Sequence, residues 1–354
     1  MKVNFYISSL SSGGAEHVLI NIANTLSTKK YKVSIYSLEK RKQFYNPSKK
    51  VELKKIEKKP KNKLINFIND LKFIRNSIKN DKPDVTISFL SRCNFLLIIS
   101  SFFSKNKLIV SDRNNIRREH SIFIYLITCF LYIFTDKIVV QTKGVKEIYP
   151  KFLQKKIVII ENPIDKKQLE KQLDTKIVRN KNSIISIGRL EKQKDFKTLI
   201  DSFKIVHESH PKWNLNIYGQ GHMYDKIQDY INVSGLSENI ALCGVTKKPF
   251  KEIKKSDIFI LSSFYEGFPN ALCEAMYSET CCISTNCKYG PNELITDNEN
   301  GFLVEVANVN DMVNKINYCI ENEEIRKKIG INAKISVERL SIESIIKKWE
   351  NIIN

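Results

Sequence analysis

Two periodicities alternate along this chain. Short, mostly apolar runs, "VNFYIS", "KVSIYSL", "DVTISFL", "KLIVSD", "DKIVVQT" and "KIVII", recur through the first half, and "SIISIG", "LNIYG", "IALCGV", "DIFILSS" and "CCISTN" through the second. Between them apolar positions fall three and four residues apart, as at Leu64, Phe67, Ile68, Leu71, Ile74 and Ile78. The first pattern marks strands and the second helices with one apolar face. Strands alternating with helices of this length predict an α/β protein with parallel sheets and right-handed crossovers. A polar stretch at 165–182 parts the two sets. The pattern therefore predicts two Rossmann-like doubly wound domains, 1–164 and 183–338, joined by a linker at 165–182. Length agrees, since 354 residues exceed the size at which single cores stop growing.

One segment fits neither periodicity. "SIFIYLITCFLYIFT", residues 121–135, is apolar on every side. At fifteen residues it falls short of the roughly 20 that span a bilayer, so it reads as a buried helix or one lying at an interface. The start "MKVNFYISSL" runs directly into strand-like alternation, without the charged and apolar regions of a secretion signal, and a cytoplasmic protein is expected. The eight cysteines include no C-x-x-C, so metal-ligand spacing is missing and reduced, buried thiols are expected.

Charge changes the picture for the first half. Residues 1–165 hold 31 Lys+Arg against 13 Asp+Glu, whereas 166–354 hold 27 against 25. The densest run spans Lys40 to Lys63. Such asymmetry points the first half toward an anionic partner: nucleic acid, an anionic membrane surface or a phosphate-bearing substrate.

Ligands of doubly wound sheets bind beyond the carboxyl ends of the strands, where helix N-termini point outward. The loop after the first strand carries Gly13 and Gly14 at a helix start, a geometry that favours an anion. It is not G-x-G-x-x-G, which removes the main support for a nicotinamide dinucleotide. In the second half Gly188, Arg189 and Lys194 follow a strand, and a guanidinium fork with an ammonium suits two linked phosphates. Gly219 and Gly221 follow the next strand. Then "EGFPNALCE" places Glu266 in a loop, Pro269 at a helix start, the backbone of Gly267, Phe268, Asn270 and Ala271 around it, and Glu274 a turn later. Carboxylates seldom lie buried without partners. Two of them, eight positions apart and flanking a phosphate-binding helix start, suit the hydroxyls of two sugars. An ion pair is the bland alternative. A metal is not expected, because no D-x-D occurs.

Together "GGAE" at 13–16, "GRLEKQK" at 188–194, "YGQG" at 218–221, "EGFPNALCE" at 266–274 and the tail "LSIESIIKKWENII" resemble the family 4 retaining glycosyltransferases of the GT-B fold. The likeness spans nearly the whole chain. The resemblance implies two domains facing across a cleft, with a terminal helix, 339–354, crossing back onto the first. It implies transfer of Gal, GalNAc or GlcNAc from a UDP-sugar to a lipid-linked oligosaccharide acceptor, as in O-antigen or capsule synthesis. Anomeric retention and no cofactor or metal are implied as well. Carried over by position, Arg189 and Lys194 grip the diphosphate, Glu274 accepts from the ribose, and Glu266 holds the donor sugar. Gly14 approaches the diphosphate from the other domain, and uracil lies by Tyr218, Gly219 and Val245. Glu16, Asp112 and Arg113 are the acceptor-side candidates. Many relatives carry a histidine where this chain has Arg113 after Asp112. The basic helix Leu64–Ile78, with Lys63, Lys72, Arg75 and Lys79, is the expected contact with an anionic membrane on its cytoplasmic face.

Three rivals stand beside this reading. A nucleic-acid binder would explain the charge, but Phe44 and Tyr45 are the only aromatics in the densest basic run, no nucleic-acid motif occurs, and no nucleic-acid partner is expected. A sugar-nucleotide epimerase with two similar domains is the nearest enzymatic competitor. A degenerate transferase partner is disfavoured because all four carried-over polar residues are present.

Overall fold

The computed structural model describes residues 1–11, 13–39, 43–56, 62–113, 117, 121–173 and 179–354. These divide into two compact units, 1–163 with 342–354, and 164–341. The first holds a seven-stranded sheet of β1 (Lys2–Ile7), β2 (Lys32–Ser37), β3 (Glu52–Lys55), β4 (Val85–Phe89), β5 (Lys107–Ser111), β6 (Lys137–Val140) and β7 (Ile157–Ile159). Its order is β3-β2-β1-β4-β5-β6-β7 and every pairing is parallel. The second holds β8 (Ser183–Ile187), β9 (Asn214–Tyr218), β10 (Ile240–Gly244), β11 (Ile258–Leu261), β12 (Cys281–Thr285) and β13 (Phe302–Val304). These pair in parallel in the order β10-β9-β8-β11-β12-β13. Strand order reverses at β1/β4 and at β8/β11. Those are the points where doubly wound sheets open a crevice at their carboxyl ends.

Burial explains which strands the sequence announces. β4 and β12 are buried at every residue, as covered parallel strands must be, and read as apolar runs. The edge strand β3 reads "ELKK" and the three-residue β13 reads "FLV". Neither carries enough apolar pattern to be predicted. Of the stretch expected as a linker, Lys166–Glu170 is a short helix of the second unit and 174–178 lie outside the described residues.

Helix Ile342–Ile353 completes the first unit. It buries Ile345, Ile346, Trp349 and Ile353, and Trp349 stacks on Phe89 of β4 at 6.0 Å. Lys29–Glu350 and Lys348–Glu161 ion pairs at 2.5 and 2.6 Å flank it.

The apolar segment at 121–135 forms helix Ile122–Leu131 followed by a tight turn at Tyr132–Phe134. It is not the buried helix that was one of its two expectations. Its inward positions are Tyr125, Thr128, Cys129 and Tyr132, while its Ile, Leu and Phe side chains are mostly exposed. Tyr125 and Tyr132 point inward because their hydroxyls find partners there, Ile148 O at 2.6 Å and the Asp112 carboxylate at 2.7 and 2.8 Å. No helix among the described residues is long and apolar enough to cross a membrane.

Candidate active site

In the second unit the loops beyond β8, β9 and β11 are tied together by main-chain bonds. Gly188 N donates to Tyr218 O, Leu190 N to Gln220 O, and Gly219 N to Gly244 O. The approach is close enough to require glycine. A Cβ at Gly219 would sit 1.8 Å from Gly188 O, and one at Gly221 2.3 Å from Leu190 O. The loop after β11 docks on the turn holding Lys194. Ser262 Oγ donates to Lys194 O at 2.7 Å, Phe264 N to Gln193 O at 2.8 Å, and Gln193 Nε2 to Tyr265 O at 2.8 Å.

That docking brings Lys194 and Glu266 together. Lys194 Nζ lies 2.6 Å from Glu266 Oε1, and Ser263 Oγ donates to the same oxygen at 2.6 Å. Both side chains are nearly buried, and each is the charge partner that makes the other's burial tolerable. Arg189 is exposed and, among the described residues, pairs only with Glu191, at 3.1 Å. Its fork is therefore open to a ligand.

Helix Asn270–Tyr277 begins with Pro269 as its N-cap, one position before the first turn. Asn270 N is turned back onto Phe268 O at 3.1 Å, so it is not among the donors the helix start offers. Among the described residues the free donors there are the N–H groups of Ala271 and Leu272, at the positive end of the helix dipole. Glu274 follows on the next turn. It is half-buried, and among the described residues its carboxylate has no hydrogen-bond or ion-pair partner. Desolvation pushes its pKa up to about 7. So the two glutamates have opposite circumstances: Glu266 is satisfied by the protein and Glu274 is not.

Tyr218 is half-buried at the end of β9 and Val245 is exposed just after β10. Burial first, and then Cys243 and Glu252, push the Tyr218 hydroxyl pKa well up, so it stays a donor.

In the first unit, Glu16 folds back over the start of helix Gly14–Ser27. A Cβ on Gly13 would lie 2.2 Å from Glu16 Oε2, and Ser11 Oγ donates to Oε1 at 3.0 Å. The helix start expected to hold an external anion thus faces the chain's own carboxylate. Asp112 accepts from Asn94 Nδ2 at 2.7 Å, from Tyr132 and from Tyr149. Burial and the adjoining carboxylate push both tyrosine hydroxyls far up, which keeps them protonated as donors. Arg113 is buried over the Phe89 ring at 4.1 Å and donates Nη1 to Asn162 Oδ1 at 2.6 Å. Among the described residues its Nε and Nη2 have no partner, and desolvation lowers its pKa to about 9. Asn114 and Asn115 of "SDRNN" lie outside the described residues.

Asp112 is thus the centre of a buried structural network, a role the sequence alone did not signal. Asp112→Ala orphans three buried donors and is expected to destabilise the first unit by about 3 kcal/mol or more. Trp349 and Trp213, one in each unit, separate the readings. In a Trp213→Phe background, Trp349 fluorescence should be lost at lower urea when Asp112→Ala is added. An unchanged midpoint would contradict the assigned role.

Two units, each a doubly wound parallel sheet, are the components of the GT-B fold. Residues 167–336 match the family model for glycosyl transferases group 1. An uncharacterized glycosyltransferase of Methanocaldococcus jannaschii is 32% identical over 373 residues, covering 88% of this chain and 91% of its own. A Campylobacter jejuni α-1,4-N-acetyl-D-galactosaminyltransferase, named for the acceptor GalNAc-α-(1→4)-GalNAc-α-(1→3)-diNAcBac-PP-undecaprenol, is 28% identical over 361 residues, covering 100% and 98%. The crystal structure of Anabaena HepE in complex with UDP-glucose aligns with a TM-score of 0.81 at 18% identity, over 99% of this chain and 98% of that one. The chain belongs to the group 1 glycosyltransferases.

Proposed function

We propose that the chain transfers a hexose or N-acetylhexosamine (Gal, GalNAc or GlcNAc), with retention, from a UDP-sugar to a sugar hydroxyl of an undecaprenyl-diphosphate-linked acceptor in surface polysaccharide synthesis. The donor belongs to the second unit and the acceptor to the first. The observation that carries the reading is Glu274, a desolvated carboxylate that has no partner among the described residues, one turn beyond two helix N–H groups that are free among them. A ribose diol supplies paired donors to such a carboxylate, and a diphosphate takes the N–H groups and the Arg189 fork. The UDP-glucose complex of HepE supports the donor class and the undecaprenol-linked acceptor of the Campylobacter enzyme supports the acceptor class. With such an acceptor, the cytoplasmic face of the membrane is the proposed place of work.

The proposed chemistry needs no metal and no nucleophile from the protein. The acceptor oxygen attacks C1 from the face the diphosphate leaves. The C1–O bond to phosphate breaks, and the leaving phosphate oxygen takes the acceptor's proton. Catalysis then consists of stabilising the departing charge with Arg189, Lys194 and the helix start. Glu266 accepts from the donor sugar's hydroxyls, exchanging part of its bond to Lys194 as that ammonium turns to the diphosphate.

The test is calorimetric titration of UDP and GDP into the full chain. Micromolar UDP affinity with weaker GDP is expected. A folded chain that binds no UDP would end the reading.

A further inference from the structure

The segment Ile122–Phe134 is built inside out. Its buried positions, Tyr125, Thr128, Cys129 and Tyr132, repeat at helical spacing but are the least hydrocarbon-like of the run. Its exposed positions are Ile122, Phe123, Ile124, Leu126, Ile127, Phe130, then Ile133 and Phe134 of the turn. Phe123 is 68% exposed and Phe130 60%. A helix on the surface of a water-soluble unit carries the reverse arrangement. The patch is continuous with its neighbours, because Phe134 packs edge-on against Phe130 at 5.8 Å and against Phe102 at 5.3 Å. Phe103, next in chain, is 98% exposed at a positive backbone φ of 70°. Such a conformation is unfavourable for a bulky residue, and it holds the ring out from the protein surface.

What covers the patch is indicated by charge. Between residues 121 and 135 there is no charged side chain. At its margins stand exposed Lys105 and Arg117, and Lys156, whose ammonium caps Ile133 O and Thr135 O at 2.6 and 2.7 Å. Helix Ile122–Leu131 packs on Ser91–Ser100, which packs on Lys63–Asp81, so the three form one layer. The third helix of that layer exposes Leu64, Ile65 and Ile68 together with Lys63, Lys72, Arg75 and Lys79. Bulky apolar side chains that none of the described residues covers, with a border that is cationic apart from Asp136, whose carboxylate accepts from Leu108 N at 2.6 Å, match the cross-section of a lipid leaflet. Hydrocarbon takes the centre and anionic headgroups the margin.

We propose that Ile122–Phe134, with Phe102 and Phe103, inserts into the headgroup–acyl boundary of an anionic bilayer. The patch is then the main membrane anchor, with the basic helix Lys63–Asp81 lying on the headgroups beside it. This deepens the lipid-linked-acceptor reading and rests on it for its purpose.

The experiment is flotation of the full chain with phosphatidylcholine vesicles with and without phosphatidylglycerol, for wild type and for Phe123→Asp/Phe130→Asp. Both positions are exposed and outside the donor site, so the variant should fold and keep wild-type UDP affinity. Wild type is expected to float with both vesicle types, more strongly with phosphatidylglycerol. The variant should partition at least about tenfold more weakly. Equal partitioning of the two proteins would overturn the proposal. So would partitioning of wild type that depends wholly on phosphatidylglycerol and is lost on neutralising Lys63, Lys72, Arg75 and Lys79. Self-association of wild type without vesicle binding, abolished in the variant, would assign the patch to a second copy instead. Absence of UDP binding in either protein would fail the transfer reading while leaving the flotation result standing.

Discussion

Replacing Lys194 by methionine is expected to lower kcat about 100- to 1000-fold, the usual cost of removing one preorganised charge from a developing anion. The structure complicates the reading of that number, since Lys194 is also the ion partner of Glu266. Removing it leaves a nearly buried carboxylate held, among the described residues, by Ser263 alone, a loss of about 3 kcal/mol or more in the second unit. Arg189→Met resolves the ambiguity. Arg189 is exposed and, among the described residues, pairs only with Glu191, so its loss should reduce kcat similarly with stability changed by less than about 1 kcal/mol. Turnover of a UDP-N-acetylhexosamine on a polyprenyl-diphosphate-linked acceptor, with unfolding measured alongside, checks both. If Arg189→Met keeps wild-type kcat, charge stabilisation by this loop is not the source of the rate.

Glu274→Gln should do two opposite things. The wild-type carboxyl titrates at about 7, above its ordinary 4.5. Between those values the folded chain holds a proton that the unfolded chain has released, so stability falls as pH rises through the window. By pH 8 the deficit approaches about 3 kcal/mol, and the glutamine variant, which carries no charge there, should be more stable by up to that amount. Donor affinity should move the other way. A ribose diol rewards only the ionised form, so wild-type affinity for a UDP-sugar should decline as pH drops below about 7. The variant should bind about 100-fold more weakly at pH 8 and without that dependence. A UDP-sugar is the better probe than UDP, whose terminal phosphate titrates nearby. Equal affinity in the two proteins would remove Glu274 from the donor site.

Much of this arrangement was legible in the sequence, and the exceptions share a cause. Parallel strands announce themselves because both faces are covered, which is why β4 and β12 read clearly and the edge pieces β3 and β13 did not. Gly219, Gly221, Glu266 and Glu274 were legible because glycine turns and isolated carboxylates are rare in apolar surroundings. Pairing was not. Lys194 and Glu266 are 72 positions apart, and nothing local shows that a loop docking will join them. Nor does composition say which side of an all-apolar helix faces the protein. At Tyr125 and Tyr132 the decision rests on hydroxyl partners from distant strands and turns, and the hydrocarbon is left outside as a result.

The last helix has a consequence for how the protein is made. The strands of the first sheet end at Ile159, yet the sheet lacks the Trp349 side of its core until helix Ile342–Ile353 has been made. The whole second unit, 164–341, is synthesised in the interval. The first unit is therefore completed only after the second has been made, and a chain broken before Ile342 leaves that unit without its last helix. Such a product leaves the Phe89 ring without the Trp349 stack that covers it in the complete unit.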